Sequence, residues 1–317
     1  MVDLLIWIGV FVLSLTTLII SADFFIRACE RIGIALGIPE FIIGVTIIAV
    51  GTSLPEMVTN IVAVLDGVSE IVAGNVIGSN ITNICLVLGV IGIFSKNTRM
   101  DFDVMKVDLP MLIGATFFLA ITLWDLQFTL FEAILALLFL GLYLAFIVDM
   151  GKSEANTEME TEGEEVEGFS WKEPVILLVS GYIIYLSAVY NIRSIISLGE
   201  ILTVPKEIIA LTAVALGTSL PELIVSIVAV KKGFTEMAVG NILGSNIFNI
   251  FAVMGVPSFF GEVKITPIVM NYFALPLAIV VTLVAFVIIR EKVIRKWEGG
   301  LLVALYIGYL CVQVFSL

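Results

Sequence analysis

Apolar residues fall along this chain in ten long runs, near 4–21, 40–65, 70–94, 107–124, 128–148, 173–192, 206–230, 236–260, 268–289 and 299–316. A hydrocarbon core about 30 Å thick takes about 20 apolar residues per helix, so these runs predict ten membrane spans joined by connections of ordinary length. The first run has neither the basic start nor the small-residue cleavage site of a signal peptide, and it reads as a retained helix. One connection is longer and strongly polar. It divides the chain into a first five-helix unit at 1–150, an acidic linker at 151–172 and a second five-helix unit at 173–317.

Composition agrees with a membrane protein. The chain is 60% hydrophobic and 14% charged, against roughly 45–50% and 25% in soluble domains, which argues against a soluble enzyme. It contains no histidine, so histidine-based triads, zinc-hydrolase ligands and histidine proton relays are excluded. Cys29, Cys85 and Cys311 sit in apolar surroundings with neither disulfide nor metal-ligand spacing and read as packing residues. The chemistry left is that of oxygen. Eight of the 28 acidic residues lie between Asp149 and Glu167, so the net charge of −12 belongs largely to the linker and does not indicate a nucleic-acid partner. That linker reads as a flexible tether, too polar to build a core.

Lysine and arginine are distributed unevenly. The connections after spans one, three, five, seven and nine carry 13 of them, and the termini with the remaining connections carry three. By the positive-inside rule the richer side is cytoplasmic, which places both termini outside and the linker inside the cell membrane.

An offset of 166 residues superposes the chain on itself. Gly51-Thr52-Ser53-Leu54-Pro55-Glu56 meets Gly217-Thr218-Ser219-Leu220-Pro221-Glu222, and Gly74-Asn75 with Gly78-Ser79-Asn80-Ile81 meets Gly240-Asn241 with Gly244-Ser245-Asn246-Ile247. From Pro39 to Ile84, 25 of 46 positions are identical without a gap. The same offset pairs Pro110 with Pro276, Glu132 with Glu298 and Tyr143 with Tyr309, extending the duplication over five spans. Five is odd, so the second copy enters the membrane in the opposite direction. The fold expected is an all-α polytopic membrane protein of ten transmembrane helices in two inverted five-helix repeats, an arrangement common among secondary transporters.

The polar residues inside the spans repeat with the apolar ones. Thr52 and Ser53 precede Glu56 by four and three residues and share its helical face, as Thr218 and Ser219 share that of Glu222. Pro55 and Pro221 lack an amide hydrogen, which frees carbonyls near residues 51 and 217; Ala49 and Ala215 are further carbonyl candidates. Ser79 and Asn83, four residues apart, can address one site, as can Ser245 and Asn249. The Gly74–Gly78 and Gly240–Gly244 spacings by themselves read as close helix packing. The glutamates are the costly residues, because a carboxylate at membrane depth needs a counter-ion, a proton or an aqueous route. No lysine or arginine is placed to match them. Two carboxylates with several hydroxyl, amide and carbonyl oxygens suit Ca²⁺, which takes six to eight oxygens, or several smaller Na⁺ sites, and suit octahedral Mg²⁺ less well. Competition of the two loads for overlapping oxygens would couple them.

The paired Gly-Thr-Ser-Leu-Pro-Glu and Gly-Asn-(Val/Ile)-(Ile/Leu)-Gly-Ser-Asn motifs resemble the alpha repeats of the sodium/calcium exchanger family, in particular its compact prokaryotic and archaeal members. The resemblance implies alternating access, with Glu56, Glu222, Thr52, Thr218, Ser79, Ser245, Asn83 and Asn249 around central Ca²⁺ and Na⁺ sites. It also implies outer sodium contacts from Ser53, Ser219 and the carbonyls near Ala49 and Ala215, with no cofactor and no obligate protein partner beyond membrane lipids. One departure stands out: the family often has aspartate where this chain has Asn249. Neutral asparagine leaves K⁺ or H⁺ participation open. A H⁺/Ca²⁺ antiporter and a K⁺-dependent Na⁺/Ca²⁺ exchanger are the alternatives, ahead of a channel or an intramembrane enzyme.

Elsewhere the polar residues have local explanations. Asp23 and Arg27, one turn apart, read as a surface pair, and Glu132 and Glu298 as helix-start acids. Trp124, Trp171 and Trp297 read as interfacial anchors.

Overall fold

The computed structural model describes residues 2–94, 100–162, 171–203, 217, 219–265 and 274–316. Within them lie ten helical segments: α1 Val2–Leu36, α2 Glu40–Leu65, α3 Glu70–Phe94, α4 Asp108–Thr122, α5 Leu130–Glu162, α6 Lys172–Ile201, α7 Leu220–Lys232, α8 Thr235–Phe259, α9 Leu275–Ile289 and α10 Lys296–Ser316. All but α4, α7, α9 and α10 are long and apolar enough to cross a membrane, and α4 and α9 are shorter apolar helices of 15 residues each. The first part of the seventh expected span, 206–216, lies outside the described residues. The connection expected as a tether continues α5 as helix through Glu162. Its alanine, glutamate, lysine and methionine residues favour helix once a nucleus exists, and the membrane span supplies that nucleus.

The duplication is visible as a two-fold relation between the halves. α1 and α6 occupy equivalent positions in the repeats, and they pack against each other along their lengths. Arg31 meets Glu173 at 2.9 Å, and Asn191 Nδ2 donates to Ser14 Oγ at 3.2 Å. The end of α1 therefore lies beside the start of α6, so these equivalent helices run antiparallel, as inversion requires. Near the centre, Asn80 Nδ2 donates to the Asn246 carbonyl at 3.2 Å while Asn246 Nδ2 donates to the Asn80 carbonyl at 3.5 Å. Thr116 and Thr282 hydroxyls meet at 3.4 Å. Both pairs are separated by the repeat offset, and a residue can meet its own counterpart reciprocally only beside a two-fold axis.

The innermost elements are α2, α3 and α8. In the most apolar windows of α3 and α8, 78% and 83% of residues are buried, against 17% in α1, so α1 faces outward and these two form the core. Close approach depends on glycine. A Cβ on Gly240 would stand 2.4 Å from the Phe41 carbonyl oxygen, and one on Gly244 would stand 2.3 Å from that of Val45, so α8 lies against α2 with backbone touching backbone. The corresponding partners of Gly74 and Gly78 would be residues 207 and 211, outside the described residues. At the periphery, Glu132 accepts from the Thr129 amide and Glu298 from the Arg295 amide, both at 2.7 Å, capping their helices at matching repeat positions. Asp23 pairs with Arg27 at 2.9 Å and also with Lys232 at 2.6 Å, the second contact tying α1 to the end of α7. Trp124, Trp171 and Trp297 are exposed. Cys29 and Cys85 are buried, and Cys311 is exposed.

Candidate functional site

Among the described residues, α2, α3 and α8 each open into a wider turn close to the buried polar residues of the centre. α2 opens into a wider π turn at Gly44–Ile48 and carries Pro55 inside it. α3 and α8 open in the same way at Asn83–Leu88 and Asn249–Val253, starting at positions that the repeat offset makes equivalent. Such turns release carbonyls from the helical ladder and are frequent where a helix lines a binding site. α7 begins at Leu220 with Pro221 in its first turn and Glu222 next, so buried Glu222 stands in the opening turn of this helix.

Ten of the twelve expected site residues are described, and all ten are buried: Ala49, Thr52, Ser53, Glu56, Ser79, Asn83, Ser219, Glu222, Ser245 and Asn249. Ala215 and Thr218 lie outside the described residues. The two halves interlock through the ten. Ser53 of α2 donates to Glu222 Oε1 at 3.2 Å, and Thr52 Oγ1 lies 3.2 Å from Asn241 Oδ1 and 3.4 Å from Ser245 Oγ. The Thr52 hydroxyl also lies 3.4 Å from the Ala49 carbonyl oxygen. Asn83 Nδ2 donates to Asn246 Oδ1 at 3.1 Å. Both carboxyl groups are fully buried, Glu56 at 1% and Glu222 at 0% exposure.

What these residues leave over defines the site. Among the described residues, both carboxylate oxygens of Glu56, Oε2 of Glu222, Oδ1 of Asn80 and Asn83, Oγ of Ser219, and both polar atoms of Asn249 are buried without a hydrogen-bond partner in the protein. A buried polar atom without a partner costs about 1–3 kcal/mol, and more when charged, so a concentration of them in one place is not a by-product of packing. Nearly all are oxygens, and acceptors without donors are what a cation completes. Among the described residues no cluster of three or more acidic, histidine or cysteine side chains occurs, so the donor set is of the hard, mostly neutral oxygen kind.

Six residues outside the expected site set also shape the centre. Asn241 links Thr52 to Ser226, donating to Ser226 Oγ at 3.0 Å, and the equivalent Asn75 donates to Asn60 Oδ1 at 2.8 Å. Asn80 and Asn246 join the halves at the axis. Asn75, Asn80 and their copies lie within the repeated motif, so their repetition was a visible signal. Asn60 and Ser226 differ from each other, and nothing in their local sequence marks them.

Comparison with known proteins adds an independent line. The family model described as sodium/calcium exchanger protein matches residues 6–148 and again 172–315, once for each half. The chain belongs to the sodium/calcium exchanger family. Sodium/calcium exchanger MaX1 of Methanosarcina acetivorans is 29% identical over 96% of this chain and 98% of its own. The putative antiporter CaxA of Alkalimonas amylolytica is 32% identical over 95% and 96%. Among solved structures, the sodium-calcium exchanger NCX_Mj soaked with Na⁺ and Sr²⁺ superposes with a TM-score of 0.83 at 29% identity, covering 99% of both chains. As a member of this family the chain is a multi-pass membrane transporter of ten spans that exchanges cations with Ca²⁺.

Proposed function

We propose that this exchanger is a secondary active antiporter that couples Na⁺ movement to Ca²⁺ movement by alternating access at the α2–α3–α7–α8 centre. Glu56 and Glu222 are the charged ligands. Thr52, Ser53, Ser79, Asn83, Ser219, Ser245 and Asn249 supply neutral oxygens, together with the Ala49 carbonyl and, from the second repeat, Thr218 and Ala215. The observation that carries this reading is the group of buried, unpartnered oxygens contributed by both repeats around two carboxylates. A divalent ion would neutralise the pair directly. Several Na⁺ ions would divide the same oxygens among them, so one load excludes the other, and exchange follows when only loaded states reorient. The structures of NCX_Mj soaked with Na⁺ and Sr²⁺ support the choice of ions by family likeness.

Neutral Asn249 leaves a second reading open, in which K⁺ accompanies Ca²⁺. The test is ⁴⁵Ca²⁺ uptake into liposomes holding the purified protein, with outward Na⁺, K⁺ and H⁺ gradients imposed separately. Uptake driven by Na⁺ alone is the expected result. Uptake that follows only the H⁺ gradient would replace Na⁺ coupling with proton coupling, and a requirement for K⁺ on the Ca²⁺ side would select the second reading.

A further inference from the structure

The two repeats match at nearly every polar position of the centre, and one of the few exceptions is Asn60, whose counterpart is Ser226. Asn60 lies one turn beyond Glu56 on α2 and is fully buried. Its Nδ2 donates to the Val253 carbonyl of α8 at 3.2 Å and lies 3.5 Å from that of Val72, while its Oδ1 accepts from Asn75. Val253 in turn lies one turn beyond Asn249 and closes the π turn of α8.

Asn60 serves a carbonyl at the junction where the π turn of α8 gives way to a 3₁₀ turn at Val256–Phe259. An α-helical carbonyl accepts from the amide four residues on, and that position is Pro257, which has no N–H. In the first repeat the equivalent carbonyl is that of Val87, and the residue four further on is Ile91, which does carry one. Ser226 correspondingly accepts from Asn241 and, among the described residues, forms no bridge to α3. The two departures from symmetry therefore complement each other: where proline removes a donor, asparagine from the other repeat supplies it.

A second asymmetry gives the bridge a task. Asn83 is held by its bond to Asn246, but the counterpart bond between Asn249 and Asn80 is not made, and both polar atoms of Asn249 are unpartnered. With no group among the described residues fixing its side chain, the position of Asn249 depends on its backbone. One turn further along, that backbone is pinned to α2 by Asn60, and one turn before Asn60 stands Glu56.

We infer that Asn60 is a positioning residue: by donating to the carbonyl that Pro257 cannot serve, it holds Asn249 of the second repeat in register with Glu56 of the first, completing the ion site from which its own side chain is absent. The inference rests on the exchanger reading only for the identity of the ion, and binding of Ca²⁺ alone, without gradients, tests it separately.

The experiment is a double-mutant cycle on Asn60 and Pro257, with Ca²⁺ affinity of the purified protein measured by calorimetry and amide hydrogen exchange followed across α8. Asn60→Ala is expected to weaken Ca²⁺ about tenfold and to speed exchange around Val253–Phe259, through loss of its buried hydrogen bonds, the one to Val253 being the one that bears on α8. Pro257→Ala alone stays within about twofold of the parent, since the new amide serves the same carbonyl. Added to Asn60→Ala, it returns both affinity and protection to within about twofold. Unchanged affinity and exchange in Asn60→Ala would overturn the inference. So would a double variant that fails to fold or remains as impaired as the single one, because Asn60 would then act through something other than Val253. Should the parent prove not to bind Ca²⁺, the α8 exchange rates of the four proteins still decide whether the bridge exists, while the exchanger reading fails on its own.

Discussion

A carboxylate at membrane depth whose oxygens meet no donor among the described residues suits the reversible cation ligand proposed for it. Glu56 has both oxygens in that state, and Glu222 has one, its other accepting from Ser53. Glu56→Gln and Glu222→Gln are near-isosteric and remove one negative charge each. Either is expected to lower gradient-driven ⁴⁵Ca²⁺ uptake at least about a hundredfold while leaving the detergent-solubilised protein folded, and more stable if anything, because charge repulsion and desolvation are relieved. Retained uptake in either variant would remove that residue from the site. Asn249→Asp makes the opposite change, adding a charge at a position where the side chain has no protein partner. It is expected to shift the dependence of flux on Na⁺, K⁺ and pH, and identical profiles across the three series would show Asn249 to be a bystander. Much of the site was legible in the sequence because hydroxyls, amides and carboxylates stand out in apolar runs and occur twice. Asn60 was not, since its meaning lies in a carbonyl on another helix that Pro257 leaves unserved. Only the repeat offset, which sets Asn60 against Ser226 and Pro257 against Ile91, carried a trace of it.

Among helices, the determining contact is the backbone approach of α8 to α2 at Gly240 and Gly244. A methyl group at Gly244 would fall 2.7 Å from the Val45 Cα as well as 2.3 Å from its carbonyl oxygen, and a backbone cannot give way as a side chain does. Gly244→Ala should therefore destabilise by about 1–3 kcal/mol or prevent folding, as overpacking generally does. Gly141→Ala on α5 meets nothing within 4 Å and should be neutral. Thermal unfolding in detergent compares the two, and equal melting temperatures would mean that α8 does not lie on α2 this closely. Hydrophobic runs located the helices well, yet they misjudged how far some extend. α1 continues to Leu36, well past the apolar run that ended near 21, because polar Asp23 and Arg27 can pair with each other on an exposed face without interrupting the helix. α5 likewise passes into the acidic connection, where helix propensity rather than hydrophobicity sets the limit.

At the scale of the molecule, the proposed alternating access would make the two inverted halves alternatives for opening the same centre, and the direction in which the whole is inserted decides which half would serve which side. The antiparallel α1–α6 pair establishes that equivalent helices point oppositely, but it is silent on which end is cytoplasmic. That information resides in the 13 lysines and arginines on one set of connections against three on the other. The asymmetry exceeds what one or two substitutions can reverse, and it counts positive residues only, so the eight acids from Asp149 to Glu167 do not weaken it. Both termini should then be extracellular and the α5–α6 connection cytoplasmic. With Cys29, Cys85 and Cys311 replaced by alanine, single cysteines at Asp3→Cys and Glu158→Cys report each side to a membrane-impermeant maleimide. Asp3→Cys is expected to label on intact cells and Glu158→Cys only after permeabilisation. In that orientation α2 runs outward, and Asn60 and Val253 lie on the extracellular side of Glu56 and Asn249, so the pinned half of the centre faces out and the Ser226 half faces in. The reverse labelling pattern would exchange those assignments while leaving the bridge itself untouched.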